Sequence, residues 1–273
     1  MSELFENIAE ASHFESIRTW VLKHTGLHYP PRKHSTLYHR LQKVCREMGF
    51  ANLQELDLHL HQRDIPDLSV RLACAVSTNH TFYFREEEMF QFFQEVVIPT
   101  LPPDDTWRFW SAACSSGDEA YSLALLLADH LGPEAVQQRV RILGTDISAD
   151  ALEQAEFGIA NERRLEKVPE GLRRQYFRPV GLGQWQISAK LKGVCTFRRL
   201  NLMSKPWPFS NQFHVIFCRN VLYYFDQPDQ QELVERMYDV TVPGGWLITS
   251  VTESLRGMKT RWQVLQTGVH RKL

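Results

Sequence analysis

Residues 107–128 read WRFWSAACSSGDEAYSLALLLA and decide the predicted fold. The aromatic start, WRFW, is typical of a buried β-strand. The small residues at 112–117 predict a tight turn, and leucines at helical spacing then predict a helix that ends at Gly132-Pro133. In an open α/β sheet, a strand, a small-residue turn and a helix N-terminus hold ligands at the carboxyl edge of the strands.

The chain has 273 residues, 43% hydrophobic residues and a net charge of −1. That length can bury an α/β core and a second small domain, and the balanced charge gives no general argument for nucleic acid. Five scattered cysteines form no Cys-x-x-Cys pair, so we predict no zinc ribbon and a reducing, cytoplasmic location. No apolar run approaches the ~20 residues of a membrane span, so we expect no membrane insertion.

Residues 1–85 predict an N-terminal α-helical domain with its linker, because they carry four amphipathic stripes and no strand pattern. From Ser16 to Arg46 the sequence contains no acid and seven basic residues, namely Arg18, Lys23, Arg32, Lys33, Arg40, Lys43 and Arg46. Two interpretations of this basic span are open. It is either a solvated helix face or a docking face for an acidic partner.

A bridging loop at 77–93, STNHTFYFREEEMFQFF, leads into the second domain. Its glutamates at 86–88 are explained by the preference for acids at a helix N-terminus. That preference does not explain Asn79, Thr81 and Arg85 beside three aromatic residues, so these polar side chains are candidates for a site.

Residues 86–273 alternate strand and helix patterns, which predicts a mostly parallel sheet with helices on both faces. Further strands are predicted at 140–145, 213–218 and 246–251, with an antiparallel edge hairpin at 262–273. Between about 176 and 200, glycines separate the β-like pieces Trp185–Ser188 and Val194–Phe197, which we interpret as a small antiparallel insertion.

Polar side chains follow the ends of four predicted strands, at Ser115–Glu119, Asp146, Asn201-Leu202 and Arg219-Asn220. Parallel strands place these ends along one sheet edge. The first turn has a single glycine and acids opening its helix, which disfavours a diphosphate and favours a cationic ligand. A carboxylate at Asp146 can accept from both ribose hydroxyls. S-adenosylmethionine, an adenosine with a cationic tail, meets both demands.

Each assignment has a structural alternative. Asp146 could cap the next helix, but Ser148 is the better cap, so we favour a ligand contact for Asp146. Asp118 and Glu119 could serve the helix dipole alone. Asn201 could be a turn residue, and Asn220 could simply end its strand.

With these residues in view, the chain resembles the CheR family of bacterial chemotaxis receptor methyltransferases. Blocks in family order carry the resemblance over nearly the whole chain, namely TNHTFYFRE (78–86), WSAACSSGDEAYS (110–122), TDI (145–147), LNL (200–202), FCRNVLYYF (217–225) and TESL (252–255). So many ordered blocks are far more specific than a lone glycine pattern.

The resemblance implies a class I S-adenosylmethionine-dependent methyltransferase fold, which is α/β and Rossmann-like, joined to an N-terminal all-α domain and carrying a small β insertion. It implies methyl transfer to glutamate carboxylates in the cytoplasmic domain of chemotaxis-type receptors, leaving methyl esters and S-adenosylhomocysteine. We expect a monomer without a nucleic-acid partner. The implied cofactor contacts are Asn79, Thr81, Arg85, Glu119, Asp146, Asn201, Leu202, Arg219 and Asn220.

The resemblance also implies roles for Arg85 and Tyr224 in catalysis, Arg85 pairing with the incoming carboxylate and the Tyr224 hydroxyl orienting it. Tyr223 is adjacent, but alignment to the family block favours Tyr224. A glutamate carboxylate is already ionised at neutral pH, so the sequence needs no general base.

Two features depart from the family pattern. In the block 110–122, Asp118 stands where the family has glutamate and Ala120 where it has proline, and both are mild substitutions. The insertion between Tyr176 and Asn201 is shorter than in members that bind a receptor pentapeptide, so we predict no pentapeptide tether.

Two rival functions remain. A nucleic-acid amino-methyltransferase would carry an Asp/Asn-Pro-Pro-aromatic motif where this chain has Cys218-Arg-Asn, so that class is disfavoured. A cofactor-binding adaptor of a chemosensory array that lacks turnover is the other alternative.

Overall fold

The computed structural model describes residues 8–25, 27–62, 68–76, 81–103, 105–225 and 227–273. The chain forms two compact units, Met1–Thr78 with Tyr224–Asp229, and Asn79–Tyr223 with Gln230–Leu273. Each unit has its own cluster of buried hydrophobic residues, as expected of a domain.

The first unit is helical, as the four amphipathic stripes predict. Its helices are α1 (Ile8–Thr25), α2 (His34–Met48), α3 (Leu53–Gln62) and α4 (Leu68–Val76). Phe14, Leu37, Leu56 and Leu72 are fully buried in their shared core. Helix α2 ends at Gly49, which adopts φ 77°, because a left-handed residue after a helix favours glycine.

Acids just outside the basic span engage some of its charges. Glu15 pairs with Arg18 at 2.8 Å, and Glu47 pairs with Lys43 at 3.5 Å. The acid-free span is therefore partly neutralised at both of its ends. Its docking role stays a prediction.

The second unit contains most of the remaining elements. Its helices are α5 (Glu87–Phe92), α6 (Asp118–Leu131), α7 (Pro133–Arg139), α8 (Ala149–Phe157), α9 (Glu162–Leu165), α10 (Glu170–Tyr176) and α11 (Ala189–Lys192), with most of α12 (Gln227–Asp239), whose first residues are assigned to the first unit. Its strands are β1 (Trp107–Ala112), β2 (Val140–Asp146), β3 (Ile159–Asn161), β4 (Phe177–Gly181), β5 (Gln184–Ile187), β6 (Cys195–Arg199), β7 (Phe213–Cys218), β8 (Thr241–Ile248), β9 (Gln263–Gln266) and β10 (Val269–Arg271).

Seven strands form the main sheet in the order β6-β2-β1-β7-β8-β10-β9. The first five of these are parallel, and β10 joins β8 and β9 in antiparallel pairs. Both the mostly parallel sheet and its antiparallel edge hairpin are thus confirmed. In register, Ala112 of β1 lies opposite Thr145 of β2 and Cys218 of β7, so the three carboxyl ends lie side by side.

The small antiparallel sheet is also confirmed, but its membership differs from the prediction. Its order is β3-β5-β4, and the antiparallel insertion therefore spans residues 159–187. The prediction that Val194–Phe197 belongs to it is wrong. Val194 precedes β6, and Cys195–Phe197 are the first three residues of β6. Strand β6 belongs to the main sheet, where it pairs in parallel with β2, beginning with Cys195 opposite Ile142.

Helix α6 ends where the sequence predicts, at Gly132 with φ 83°. Pro133 does not only stop that helix, because it also begins α7, at the first helical position where proline costs no hydrogen bond. Among the described residues, no helix is both long and apolar enough to cross a bilayer.

Candidate functional site

The β1–α6 turn (residues 113–117) follows the central strand and is tightly constrained. Ala113, Ser115 and Gly117 all have positive φ, at 61°, 49° and 84°. A Cβ atom at Gly117 would lie 2.9 Å from the Cβ of Ala155 in α8, so only glycine fits there. Strained backbone at non-glycine residues is characteristic of ligand-binding turns, and Ala113 and Ser115 supply it here.

Asp146, at the end of β2, holds this turn in place. Its carboxylate accepts the Ser115 N–H at 2.8 Å and the Ser148 N–H at 2.9 Å. Ser148 in turn caps α8 by accepting the Ala151 N–H at 3.2 Å, which confirms Ser148 as the cap. Burial raises the pKa of Asp146, and the backbone N–H groups oppose that shift. Binding of ribose by Asp146 stays a prediction.

The two acids that open α6 have different partners. Asp118 is completely buried and pairs with Arg164 at 2.5 Å. The expectation that both acids mark a cationic ligand is therefore wrong for Asp118, because Arg164 neutralises it. Glu119 accepts the Ser111 hydroxyl at 2.7 Å and lies 3.1 Å from an Arg219 nitrogen, at the carboxyl edge. Burial raises the pKa of Glu119, opposed by Arg219.

Arg219 and Asn220 follow β7 and join Glu119 to the bridging loop. The Arg219 side chain is 2% exposed and lies 3.2 Å from Glu86 as well as 3.1 Å from Glu119. Asn220 adopts φ 59°, and its side-chain amide donates to Glu86 at 2.8 Å. Its own N–H donates to Glu253 at 2.7 Å. Asn220 therefore ends its strand and also orients an acid of the site.

The bridge segment (residues 81–86), the described end of the bridging loop, packs on the start of α6. The Phe84 N–H donates to the Ser122 hydroxyl at 3.0 Å, and the Arg85 carbonyl accepts from Arg219. Thr81 and Arg85 are half-buried. The structure thus brings Arg85 to the same sheet edge as Arg219, whereas Asn79 lies outside the described residues.

Asn201 and Leu202 follow the end of β6. The Asn201 side chain accepts the Met203 N–H at 2.9 Å, which is the turn role held open as its alternative. Leu202 is buried, and its carbonyl accepts from Trp207 and Arg236. Contact of this pair with a cofactor stays a prediction.

Tyr224 belongs to the first unit. Its carbonyl accepts the His28 N–H at 2.6 Å, and the Lys33 ammonium lies 5.3 Å from its ring. Tyr223 belongs to the second unit and is 47% exposed. The catalytic role of Tyr224 therefore stays a prediction.

The structure adds to the site two acids, Glu86 and Glu253, to which sequence reasoning assigned no role there. Glu86 accepts from Asn220 and from the Ser250 hydroxyl at 2.9 Å. Burial opposes its ionisation, but the Asn220 hydrogen bond and the Arg219 charge outweigh burial and lower its pKa. Glu253 accepts the backbone N–H groups of Asn220 and Leu222. Both acids lie in the quoted sequence blocks, but their spacing gave no sign of their partners.

The carboxyl edge of the main sheet fits a cationic adenosyl ligand. Among the described residues, the buried Ser115 hydroxyl and the buried Nε of Arg219 have no hydrogen-bond partner, and buried polar atoms normally have one. The carboxylates of Glu119 and Asp146 lie at the same edge. Polar ligand atoms can therefore be satisfied here, and positive charge can be balanced.

Comparison with known proteins agrees with this geometry. Residues 79–270 match the family model described as CheR methyltransferase, SAM binding domain, and residues 12–75 match CheR methyltransferase, all-alpha domain. The chain is 32% identical over 245 residues to the chemotaxis protein methyltransferase of Borreliella burgdorferi, covering 88% of this chain and 87% of the relative. It is 30% identical over 260 residues to the chemotaxis protein methyltransferase of Escherichia coli, covering 92% and 87%. The chain thus belongs to the CheR methyltransferase family, with S-adenosylmethionine as its cofactor.

Proposed function

We propose that this chain is a protein-glutamate O-methyltransferase that methylates glutamate side chains in the cytoplasmic domain of chemotaxis-type receptors. The observation that carries the proposal is the position of the bridge segment. Arg219 contacts the Arg85 carbonyl, Glu86 and Glu119 together. The backbone of Arg85, the residue proposed to bind the incoming carboxylate, therefore lies beside the acids proposed to bind the cofactor.

The residues that would hold the cofactor are those that the sequence predicts at this edge. Asp146 would bind the ribose, and Glu119 would balance the cationic tail. The remaining proposed contacts are Asn79, Thr81, Arg85, Asn201, Leu202, Arg219 and Asn220. When bound, S-adenosylmethionine supplies an electrophilic methyl group on a sulfonium.

The protein's own task is orientation. A receptor glutamate is ionised at neutral pH, so no residue has to remove a proton from it. Arg85 would fix the carboxylate by a charge-assisted hydrogen bond, and Tyr224 would orient it. Positioning of this kind can contribute up to about 7–11 kcal/mol to a barrier. The bridge segment would also exclude water.

Recognition of the receptor is proposed to need no pentapeptide tether, because the insertion is short. The helical first unit would dock an acidic receptor surface through its basic span. Arg18 and Lys43 pair with Glu15 and Glu47, which reduces their share of that attraction. Calorimetry would reveal micromolar binding of a receptor C-terminal pentapeptide if the tether prediction were wrong.

Transfer of tritium from methyl-labelled cofactor to receptor-enriched membranes tests the proposed activity. A carboxyl methyl ester releases its label as volatile methanol in base. We expect label that is protein-bound, base-labile and dependent on this chain. Label that survives base would indicate methylation of nitrogen. Cofactor binding without any transfer would instead support the adaptor alternative.

A further inference from the structure

Arg164 stands apart from every residue assigned so far, because it lies in the short helix α9 of the antiparallel insertion. Its guanidinium nevertheless reaches the start of α6. It binds both carboxylate oxygens of Asp118, with Nε at 3.1 Å and a terminal nitrogen at 2.5 Å. The same terminal nitrogen lies 2.9 Å from the Ser116 hydroxyl in the β1–α6 turn. The other terminal nitrogen donates to the Ile159 carbonyl of β3 at 3.2 Å.

The backbone of Arg164 makes two further connections. Its N–H donates to the Asn161 side chain at 3.0 Å, which caps α9. Its carbonyl accepts the N–H of Tyr83, in the bridge segment, at 3.1 Å. One residue therefore links the insertion, the β1–α6 turn and the bridge segment.

The charge balance makes this link difficult to replace. Asp118 is completely buried, and burial raises its pKa to about 6, with Arg164 opposing that shift. Loss of the guanidinium would leave an acid buried without its cation, which is strongly destabilising. The acid would then take up a proton or the turn would shift toward water. Either result disturbs the residues beside Ser115 and Gly117.

We propose that Arg164 is a positioning residue that couples the antiparallel insertion and the bridge segment to the cofactor site. The inference rests on the proposed use of the β1–α6 turn as part of that site. It assigns the insertion a role in shaping the turn, in addition to any contact that it makes with a receptor. Because coupling between two sites is reciprocal, ligand bound at the turn should also stabilise the insertion.

The test compares three variants of the full chain by calorimetry with S-adenosylhomocysteine. Arg164→Gln should weaken binding about tenfold, as expected if the turn that it positions is in its binding-competent geometry only about a tenth of the time. Arg164→Lys should recover part of the affinity, because it keeps the charge but not the planar fork. Arg163→Gln is the matched control, since Arg163 is exposed in the same helix, and it should bind like the wild type.

Two readouts separate positioning from general damage. In Arg164→Gln the KM for cofactor should rise while kcat at saturating cofactor is retained, because the turn would bind ground and transition states equally. Hydrogen exchange in residues 159–187 should slow when the wild type binds S-adenosylhomocysteine, and this protection should be absent in Arg164→Gln. Wild-type affinity together with retained protection in Arg164→Gln would overturn the proposal.

A double variant keeps the test decisive if Arg164→Gln does not fold. Asp118→Asn with Arg164→Gln removes both buried charges and should restore folding. It should still bind S-adenosylhomocysteine more weakly than Asp118→Asn alone. Equal affinity in these two variants would overturn the positioning role. A wild-type chain that does not bind S-adenosylhomocysteine would overturn the cofactor site and this inference together.

Discussion

On the insertion side of the β1–α6 turn, Asp118 pairs with Arg164, and on the bridge side Glu119 pairs with Arg219. The two acids are consecutive in sequence, and each pairs with an arginine that is distant in sequence. The surroundings of the two pairs differ. Asp118 is fully buried with both oxygens bound by Arg164, whereas the Arg219 Nε has no partner among the described residues.

This difference distinguishes a pair that supports the turn, Asp118–Arg164, from a pair that lies where a ligand could bind, Glu119–Arg219. The Asp118–Arg164 pair has both carboxylate oxygens and all three guanidinium nitrogens bonded within the protein, which is typical of a structural pair. The bridge side keeps a buried donor and an acid of 13% side-chain exposure at the sheet edge. A cationic ligand with polar atoms would complete that side. We therefore infer that chemistry takes place on the bridge side and that the insertion side holds its geometry.

The largest effect should come from Arg85, the proposed partner of the incoming carboxylate. Arg85→Ala should lower kcat/KM for receptor methylation by about 100-fold, the scale for removing one charge-stabilising donor from an active site. Initial rates on receptor-containing membranes provide the measurement. Glu87→Gln, an exposed neighbour, should leave the rate unchanged. Wild-type turnover in Arg85→Ala would show that Arg85 does not act in the site and would contradict the assignment of chemistry to the bridge side.

Glu86 should make the next largest contribution, through stability. Glu86→Gln should lower the free energy of unfolding by about 2 kcal/mol at neutral pH, because hydrogen bonds to an ionised group are lost. Since the pKa of Glu86 is lowered in the fold, its contribution is present above the ordinary pKa and lost as the pH falls through the lowered value. Denaturant unfolding at several pH values measures this.

The difference between wild type and Glu86→Gln should therefore shrink in acid. Glu88→Gln is the matched control, because Glu88 is an exposed glutamate two residues further on, in α5, and it should change stability little at any pH. A Glu86→Gln effect that stays constant down to strongly acidic pH would contradict the assigned ion pairing.

The smallest effect tests the two acids directly. Glu119→Gln should weaken S-adenosylhomocysteine binding about tenfold, through loss of one charge-assisted contact. Asp118→Asn should change it less, because the asparagine oxygen can still accept from Arg164. Calorimetry on both variants and the wild type gives the dissociation constants for S-adenosylhomocysteine, from which the two effects are compared. A larger effect for Asp118→Asn would reverse the comparison and place the ligand on the insertion side.

Local signals account for the parts of the molecule that sequence predicted well. Ser148 caps α8 and Gly132 ends α6 because both depend on the residue's own chemistry within one helical turn. Asp146 follows a strand whose apolar pattern fixes its end. The sheet class followed from the alternation of strand and helix patterns.

Partners distant in sequence account for the rest. Asp118 and Glu119 both lie in the first turn of α6 and interact alike with the helix dipole. Their side chains differ by a rotation of about 100° around the helix axis, which directs Asp118 to Arg164 and Glu119 to Arg219. Cys195–Arg199 is a short β-like piece whose parallel pairing with β2 depends on tertiary register. The pairing of the fully buried Asp118 with Arg164, which is distant in sequence, produces no periodic pattern from which it could be predicted.

One measurement tests the central claim most directly. Receptor would be incubated with the wild-type chain or with Arg85→Ala and with cofactor carrying a deuterated methyl group, then digested and sequenced by mass spectrometry. The account predicts label on glutamate side chains, removed by mild base, and nearly absent with Arg85→Ala. Label on lysine or arginine, no label with the wild type, or equal labelling by both chains would contradict it.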